Sequence, residues 1–148
     1  MDPTVNRSKG RVEGDTAIVT GARTGIGRAT AELLAAEGAT VVVTHYEEDG
    51  ARDTVESICK NGGQAVHMKL DVQSEDDWKH VIDRTCTQVG CPTILVNNAG
   101  VYMVKPITGI EQEDWQQLFD INVKGVFLGM KHVVPPMREN GRGSIINM

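Results

Sequence analysis

Residues 20–27 read Thr-Gly-Ala-Arg-Thr-Gly-Ile-Gly and follow directly on the apolar run Ala17-Ile18-Val19. Three glycines at G-x-x-x-G-x-G spacing, after a strand-like run and ahead of a helical pattern, leave few folds open. Glycine lets a chain turn sharply, and it lets a diphosphate approach a backbone with no Cβ in the way. A helix opening there aims free N–H groups and the positive end of its dipole at an anion. The spacing departs from the commonest dinucleotide fingerprint, G-x-G-x-x-G, and from the triphosphate loop, G-x-x-x-x-G-K-[ST]. Alone, such glycines also suit an ordinary turn, so the rest of the chain has to decide.

Short β-rich runs alternate with longer helical patterns. The runs predict strands at Thr16–Thr20, Thr40–Thr44, Ala65–Leu70, Thr93–Asn97 and Ser144–Met148. Helices are predicted over Gly25–Glu37, Gly50–Asn61, Ser74–Val89 and Glu111–Met137. Runs such as Val41-Val42-Val43 and Ile94-Leu95-Val96 are apolar without alternation, which suits strands buried on both faces of a parallel sheet. Alternating β and α with short links implies right-handed crossovers and an α/β, doubly wound sheet. Gly38, Gly62-Gly63 and Gly90 stand where helices should stop. Ser74, ahead of Glu75-Asp76-Asp77, reads as an N-cap, and Pro135-Pro136 as a fraying helix end. Residues 1–15 are polar and read as a flexible leader, with one domain over 16–148.

Composition removes several classes of function. A 40% hydrophobic content in 148 residues is enough for one core. A net charge of -5 without a basic cluster argues against a nucleic-acid partner. No apolar run is long enough to span a membrane, and the N-terminus has no secretory signal. Cys59, Cys86 and Cys91 are odd in number and match no zinc spacing, which suits free thiols in a reducing cytoplasm. The four histidines form no i, i+4 pair, so no metal is expected.

In a doubly wound sheet, ligands sit outside the carboxyl ends of the strands, at the switch point of strand order. The motifs obey that rule. Gly21, Arg23, Thr24, Gly25, Ile26 and Gly27 follow the first strand and His45 the second; Asp71-Val72 follows the third, and Asn98-Ala99-Gly100 the fourth. Four polar constellations on one edge point to a single cofactor crevice. Ala99 and Gly100 would let a ribose or ring lie close, and Asn98 can fix the loop by bonding to main chain. Asp71 reads either as an acceptor for an exocyclic amine or as a helix-entry acid. Asn122 falls inside the stripe Trp115, Leu118, Phe119, Val126, Met130, Val133. It is either a satisfied structural amide or part of a polar site. His45 takes the place after the second strand where NAD sites often put an acid. Arg23 could reach a 2′-phosphate or be a plain surface charge. With His45 in the place of that acid and Arg23 in the loop, the cofactor reads as NADP; Glu47 and Glu48, slightly later, pull the other way, toward the ribose diol of NAD, the alternative.

Together these residues resemble the short-chain dehydrogenases/reductases of the single-domain type. The resemblance rests on Thr20-Gly21-x-x-x-Gly25-x-Gly27, Asp71-Val72, Asn97-Asn98-Ala99-Gly100, Asn122-Val123-Lys124-Gly125 and the strand Gly143–Met148, and covers roughly residues 12–148. It implies a Rossmann-like sheet in the order 3-2-1-4-5, NAD(P) on the glycine loop and Asp71 near adenine. It implies Asn98, Ala99 and Gly100 beside the adenosine ribose, and Asn122 as a member of a catalytic tetrad. It also implies hydride transfer with a small-molecule alcohol or ketone, and a homo-oligomer, dimer or tetramer, at full length.

The family's Tyr-x-x-x-Lys is the departure. Tyr46 is followed at the fourth position by Gly50, and Tyr102 by Pro106. The family serine belongs just after the fifth strand, where the sequence stops. The expectation is therefore the cofactor half of a dehydrogenase, without the serine, tyrosine and lysine, the later strands or their helices, and inactive alone. The alternative is a non-catalytic short form that binds a dinucleotide or a partner. An extended-type sugar-nucleotide epimerase would show G-x-x-G-x-x-G instead.

Overall fold

The computed structural model describes residues 10–148. Five parallel strands, β1 (Thr16–Val19), β2 (Thr40–His45), β3 (Gln64–Lys69), β4 (Ile94–Asn97) and β5 (Ser144–Asn147), form one sheet in the order β3-β2-β1-β4-β5. The helices are α1 (Gly25–Ala36), α2 (Arg52–Lys60), α3 (Glu75–Gln88), α4 (Gln112–Phe119) and α5 (Gly125–Glu139).

The unbroken apolar strands explain the layering. Successive side chains of a strand point to opposite faces, so a strand with no polar phase needs cover on both. Ala17 and Val19 of β1, Val41 and Val43 of β2, and Ile94 and Val96 of β4 pack with Ala31, Ala35 and Ile58 of α1 and α2. Ile18, Val42 and Leu95 pack on the other face with Trp78, Val81, Leu128 and Val133 of α3 and α5. Trp78 is fully buried, and its indole N–H donates to the Val72 carbonyl at 3.0 Å.

The predicted helix stops hold: Gly38, Gly62 and Gly90 take positive φ just past α1, α2 and α3. Ser74 caps α3, its Oγ accepting from the Asp77 N–H at 3.2 Å. Across the layer, Glu75 Oε1 accepts from Lys131 Nζ at 2.6 Å and lies 2.9 Å from His132 Nε2, which ties the start of α3 to α5.

Three expectations change. The leader expected over residues 1–15 lies, up to residue 9, outside the described residues. Its last part is anchored: Val12 N donates to Glu37 O, Arg11 pairs with Glu37, and Asp15 Oδ1 accepts from Thr93 Oγ1 at 2.7 Å. The single helix expected over Glu111–Met137 is two helices joined by a widened π turn, Asp120–Lys124. That turn splits the apolar stripe. Val133 is buried, and Leu118, Val126 and Met130 are half-buried. Trp115 and Phe119 instead stack on each other at 4.0 Å and face outward in one row with Val123 and Phe127. Nor do Pro135 and Pro136 end α5; they lie inside it, and it runs to Glu139. Proline removes an N–H and crowds the preceding turn, which can kink a helix without ending it.

Two predictions follow from this packing. A Cβ on Gly129 would lie 2.7 Å from Asn97 Oδ1 and 2.8 Å from the Trp78 ring. Gly129→Ala should therefore destabilise by about 1–3 kcal/mol, read as a lower urea midpoint. The Lys131 hydrogen bond, and then that of His132, lower the Glu75 carboxyl from 4.5 to about 2. A depressed folded-state value stabilises above the unfolded pKa and is lost as pH falls through the folded one. Acid titration of stability between 4.5 and 2 should thus be shallower in Glu75→Gln; identical profiles would mean that the α3–α5 tie does not persist in solution.

Candidate cofactor site

The parallel sheet carries the ends of β1 to β4 to one edge, and Thr20 is the hub there. It is 1% exposed. Its Oγ1 donates to Val96 O at 3.4 Å and accepts from Asn98 N at 3.0 Å and Ala99 N at 2.9 Å. Asn98 returns the contact: its Nδ2 donates to Thr20 O at 2.9 Å and Gly21 O at 3.2 Å. The amide read from sequence as a loop-fixing group thus fixes the glycine loop itself.

Two of the glycines are required by close approach. Gly21 has φ +62, and a Cβ on it would come within 2.8 Å of Ala99 Cα. A Cβ on Gly27 would lie 2.4 Å from Asn98 Nδ2 and 2.7 Å from Gly21 O. Gly25 differs, with nothing within 4 Å of a Cβ position, so its side of the loop is open. Helix α1 begins at Gly25 with no acid in its first turn. Thr24 and Ile26 are exposed beside it. The N–H groups of Arg23 and Thr24 have no partner among the described residues. An uncompensated helix start with free N–H groups suits an anion.

At the end of β2, Arg23 Nη1 meets Glu47 Oε2 at 2.5 Å, and both side chains are about half exposed. Tyr46 OH donates to Glu47 Oε1 at 3.4 Å. His45 turns its ring under the following segment, where Nδ1 accepts from Glu47 N at 3.2 Å and a Cβ on Gly50 would collide with it. Burial lowers the imidazole below its ordinary value of 6.5, against the pull of Glu47. So Glu47, rather than His45, presents its side chain to the glycine loop.

Asp71 is half-buried after β3. Its Oδ1 accepts from Gln73 N at 3.0 Å and Gln73 Nε2 at 3.3 Å, the geometry of an acid at a helix entry. Its Oδ2 has no partner among the described residues. Val72 is buried and packs on Gly125. Asn122, in the π turn, is half-buried and doubly paired with the loop after β4: Nδ2 donates to Val101 O at 2.7 Å, and Oδ1 accepts from Val101 N at 2.9 Å. A Cβ on Gly100 would lie 3.3 Å from the same oxygen. The structure thus joins Thr20–Gly27, Asn98–Gly100 and Asn122 in one connected set. Asp71 and His45 stand at the same edge without bonds to it.

Sequence reasoning overlooked Thr54. It is fully buried on α2 and donates to Ala22 O at 2.9 Å and Arg23 O at 3.2 Å. The signal was present: Thr54 falls among Ala51, Val55 and Ile58, a polar residue inside an apolar stripe. Among the described residues no group of three His, Cys, Asp or Glu could hold a metal ion, and no helix is long and apolar enough to cross a membrane.

Residues 15–148 match the family model described as short chain dehydrogenase. The chain is 38% identical over 139 residues to a cyclopentanol dehydrogenase of Comamonas testosteroni, covering 94% of this chain and 56% of that protein. It is 37% identical over 139 residues to a 3-alpha-(or 20-beta)-hydroxysteroid dehydrogenase of Mycobacterium tuberculosis, covering 94% and 52%. Among solved structures it resembles a gluconate 5-dehydrogenase from Burkholderia cenocepacia in complex with NADP and tartrate, with TM-score 0.85 and 34% identity over 91% of this chain and 53% of that one. The chain spans about half the length of the curated relatives it matches.

The two hydrogen bonds between Asn122 and Val101 give a direct check. Replacing Asn122 with Ala should speed hydrogen exchange at the Val101 amide by about tenfold, the loss of one hydrogen bond, and leave the amides of β1 unchanged. An unchanged Val101 amide would show that the pairing does not hold the loop.

Proposed function

Because the chain belongs to the short-chain dehydrogenase family, we propose that its carboxyl edge holds a nicotinamide dinucleotide, NADP with NAD as the alternative. The whole protein then passes a hydride between that cofactor and a secondary alcohol or ketone. The observation that carries this reading is the glycine loop at the switch point between β1 and β4, open at Gly25 and leading into an acid-free helix start. The donor set fits the group, since a diphosphate supplies the acceptors that the Arg23 and Thr24 N–H groups lack.

In this reading Gly21, Thr24, Gly25, Ile26 and Gly27 hold the diphosphate. Asp71 and Val72 border the adenine, with Asp71 Oδ2 free to accept from its amino group. Asn98, Ala99 and Gly100 flank the ribose. Arg23 takes the 2′-phosphate, where a planar guanidinium binds well. Its pairing with Glu47 is half exposed and so holds it only weakly. When bound, the nicotinamide accepts or supplies the hydride. Asn122 orients the loop after β4 through Val101, and that loop offers Tyr102 and Met103 as one wall for the substrate. The names of two relatives, a cyclopentanol and a hydroxysteroid dehydrogenase, support an alcohol carbon as the hydride's source. The outward row Trp115, Phe119, Val123 and Phe127 supports assembly of copies, since contiguous apolar patches on a surface mark contacts.

Calorimetric titration with NADPH and NADH tests the site. Both should bind, and Arg23→Ala should weaken NADPH by about tenfold while changing NADH by less than about twofold. Equal loss for both would reassign Arg23 to the shared diphosphate or to loop structure. Oxidation of NADPH by the full-length protein with a panel of ketones tests the reaction.

A further inference from the structure

We propose that Thr54 of α2 is a positioning residue for dinucleotide binding, acting through the glycine loop; the inference rests on the reading of the site given above and deepens it. Thr54 lies outside the glycine motif, 27 positions beyond Gly27 in the sequence. It is fully buried on a helix face otherwise formed by Ala51, Val55 and Ile58. Its Oγ1 lies 2.9 Å from Ala22 O and 3.2 Å from Arg23 O, so one hydroxyl proton is shared between two consecutive carbonyls.

Peptide stereochemistry turns that contact into a binding device. In a trans peptide the C=O and the following N–H point in opposite directions. Holding the Ala22 and Arg23 carbonyls toward α2 directs the N–H groups of Arg23 and Thr24 away from it. Neither of those N–H groups has a partner among the described residues. Asn98 does the same from the β4 side for the carbonyls of Thr20 and Gly21. Four consecutive carbonyls, from Thr20 to Arg23, are therefore gripped by two side chains on opposite flanks. With its carbonyls turned inward, the loop keeps their negative ends away from an approaching phosphate. Without the Thr54 hydroxyl, the Ala22 and Arg23 peptides are free to rotate and present oxygen where the anion must sit.

The test compares Thr54→Val, which keeps the shape and removes the donor, with Thr54→Ser, which keeps the donor and removes a methyl group. NADH, NADPH and adenosine are titrated into the full-length protein by calorimetry, with adenosine measured by competition. Thr54→Val should weaken both dinucleotides alike, by about tenfold, and leave adenosine within about twofold, since adenosine carries no phosphate. Thr54→Ser should restore dinucleotide binding. A merely structural Thr54 would lower the melting temperature and weaken all three ligands together, and that result overturns the proposal. So does unchanged dinucleotide binding in Thr54→Val, or equal loss in the Val and Ser variants. If Thr54→Val does not fold, Ser and Ala decide, because they leave the same space and differ by the hydroxyl: Ala weaker than Ser by about tenfold supports the role, and equality refutes it. Failure of the unaltered protein to bind either dinucleotide would overturn the reading of the whole site, and this inference with it.

Discussion

Strand β1 has no face to spare. All four of its residues are buried, it pairs with β2 on one side and β4 on the other, and apolar side chains project from it both up and down. A strand so placed must be covered by helices on both faces, and parallel neighbours then have to arrive by crossovers. The crossovers return every strand in the same direction, so all the carboxyl ends meet at one edge. The order reverses at β1, with β2 and β3 to one side and β4 and β5 to the other, and that reversal parts the loops and leaves a crevice. The candidate site is thus a by-product of burying Ala17-Ile18-Val19.

What the fold leaves open at that edge, polar side chains organise. Thr20 bridges the ends of β1 and β4, Asn98 and Thr54 grip the carbonyls between Thr20 and Arg23, and Asn122 secures the loop after Gly100. Each of these groups is partly or fully buried, and each spends its hydrogen bonds on backbone rather than on solvent. Buried polar groups that are fully satisfied specify a single arrangement, which is what a preorganised binding loop needs. The opposite edge of the sheet is stitched too: Asp15 accepts from Thr93 Oγ1 and pairs with Arg142, and the Thr93 hydroxyl also accepts from Thr16 N.

Much of this was legible in the sequence. The double burial and the loop-fixing role of Asn98 come from apolar runs and turn residues whose effects are local, whereas the strand order comes only with the family resemblance. The continuous helix over Glu111–Met137 did not survive, because a periodic pattern does not register one extra residue in a turn. The widened turn at Asp120–Lys124 coincides with the side chain of Asn122 reaching the backbone of Val101, 21 residues away. His45 stands where position along the chain predicts a cofactor contact, yet the absence of a side chain at Gly50 lets its ring fold beneath the chain and leaves Glu47 to face Arg23. Thr54 escaped because its partners are backbone carbonyls on another element, which no spacing along the chain encodes.

The two tryptophans sit in opposite environments, and this gives the protein two separate optical reporters. Trp78 is enclosed between the sheet and α5, with its indole N–H on Val72 next to Asp71, so its emission should follow the integrity of the core and the strand end beside the crevice. Trp115 is half exposed and stacked on Phe119, so its emission should respond to whatever covers that row of side chains. A blue-shifted and a red-shifted component in one spectrum would then separate unfolding from surface contact without any label.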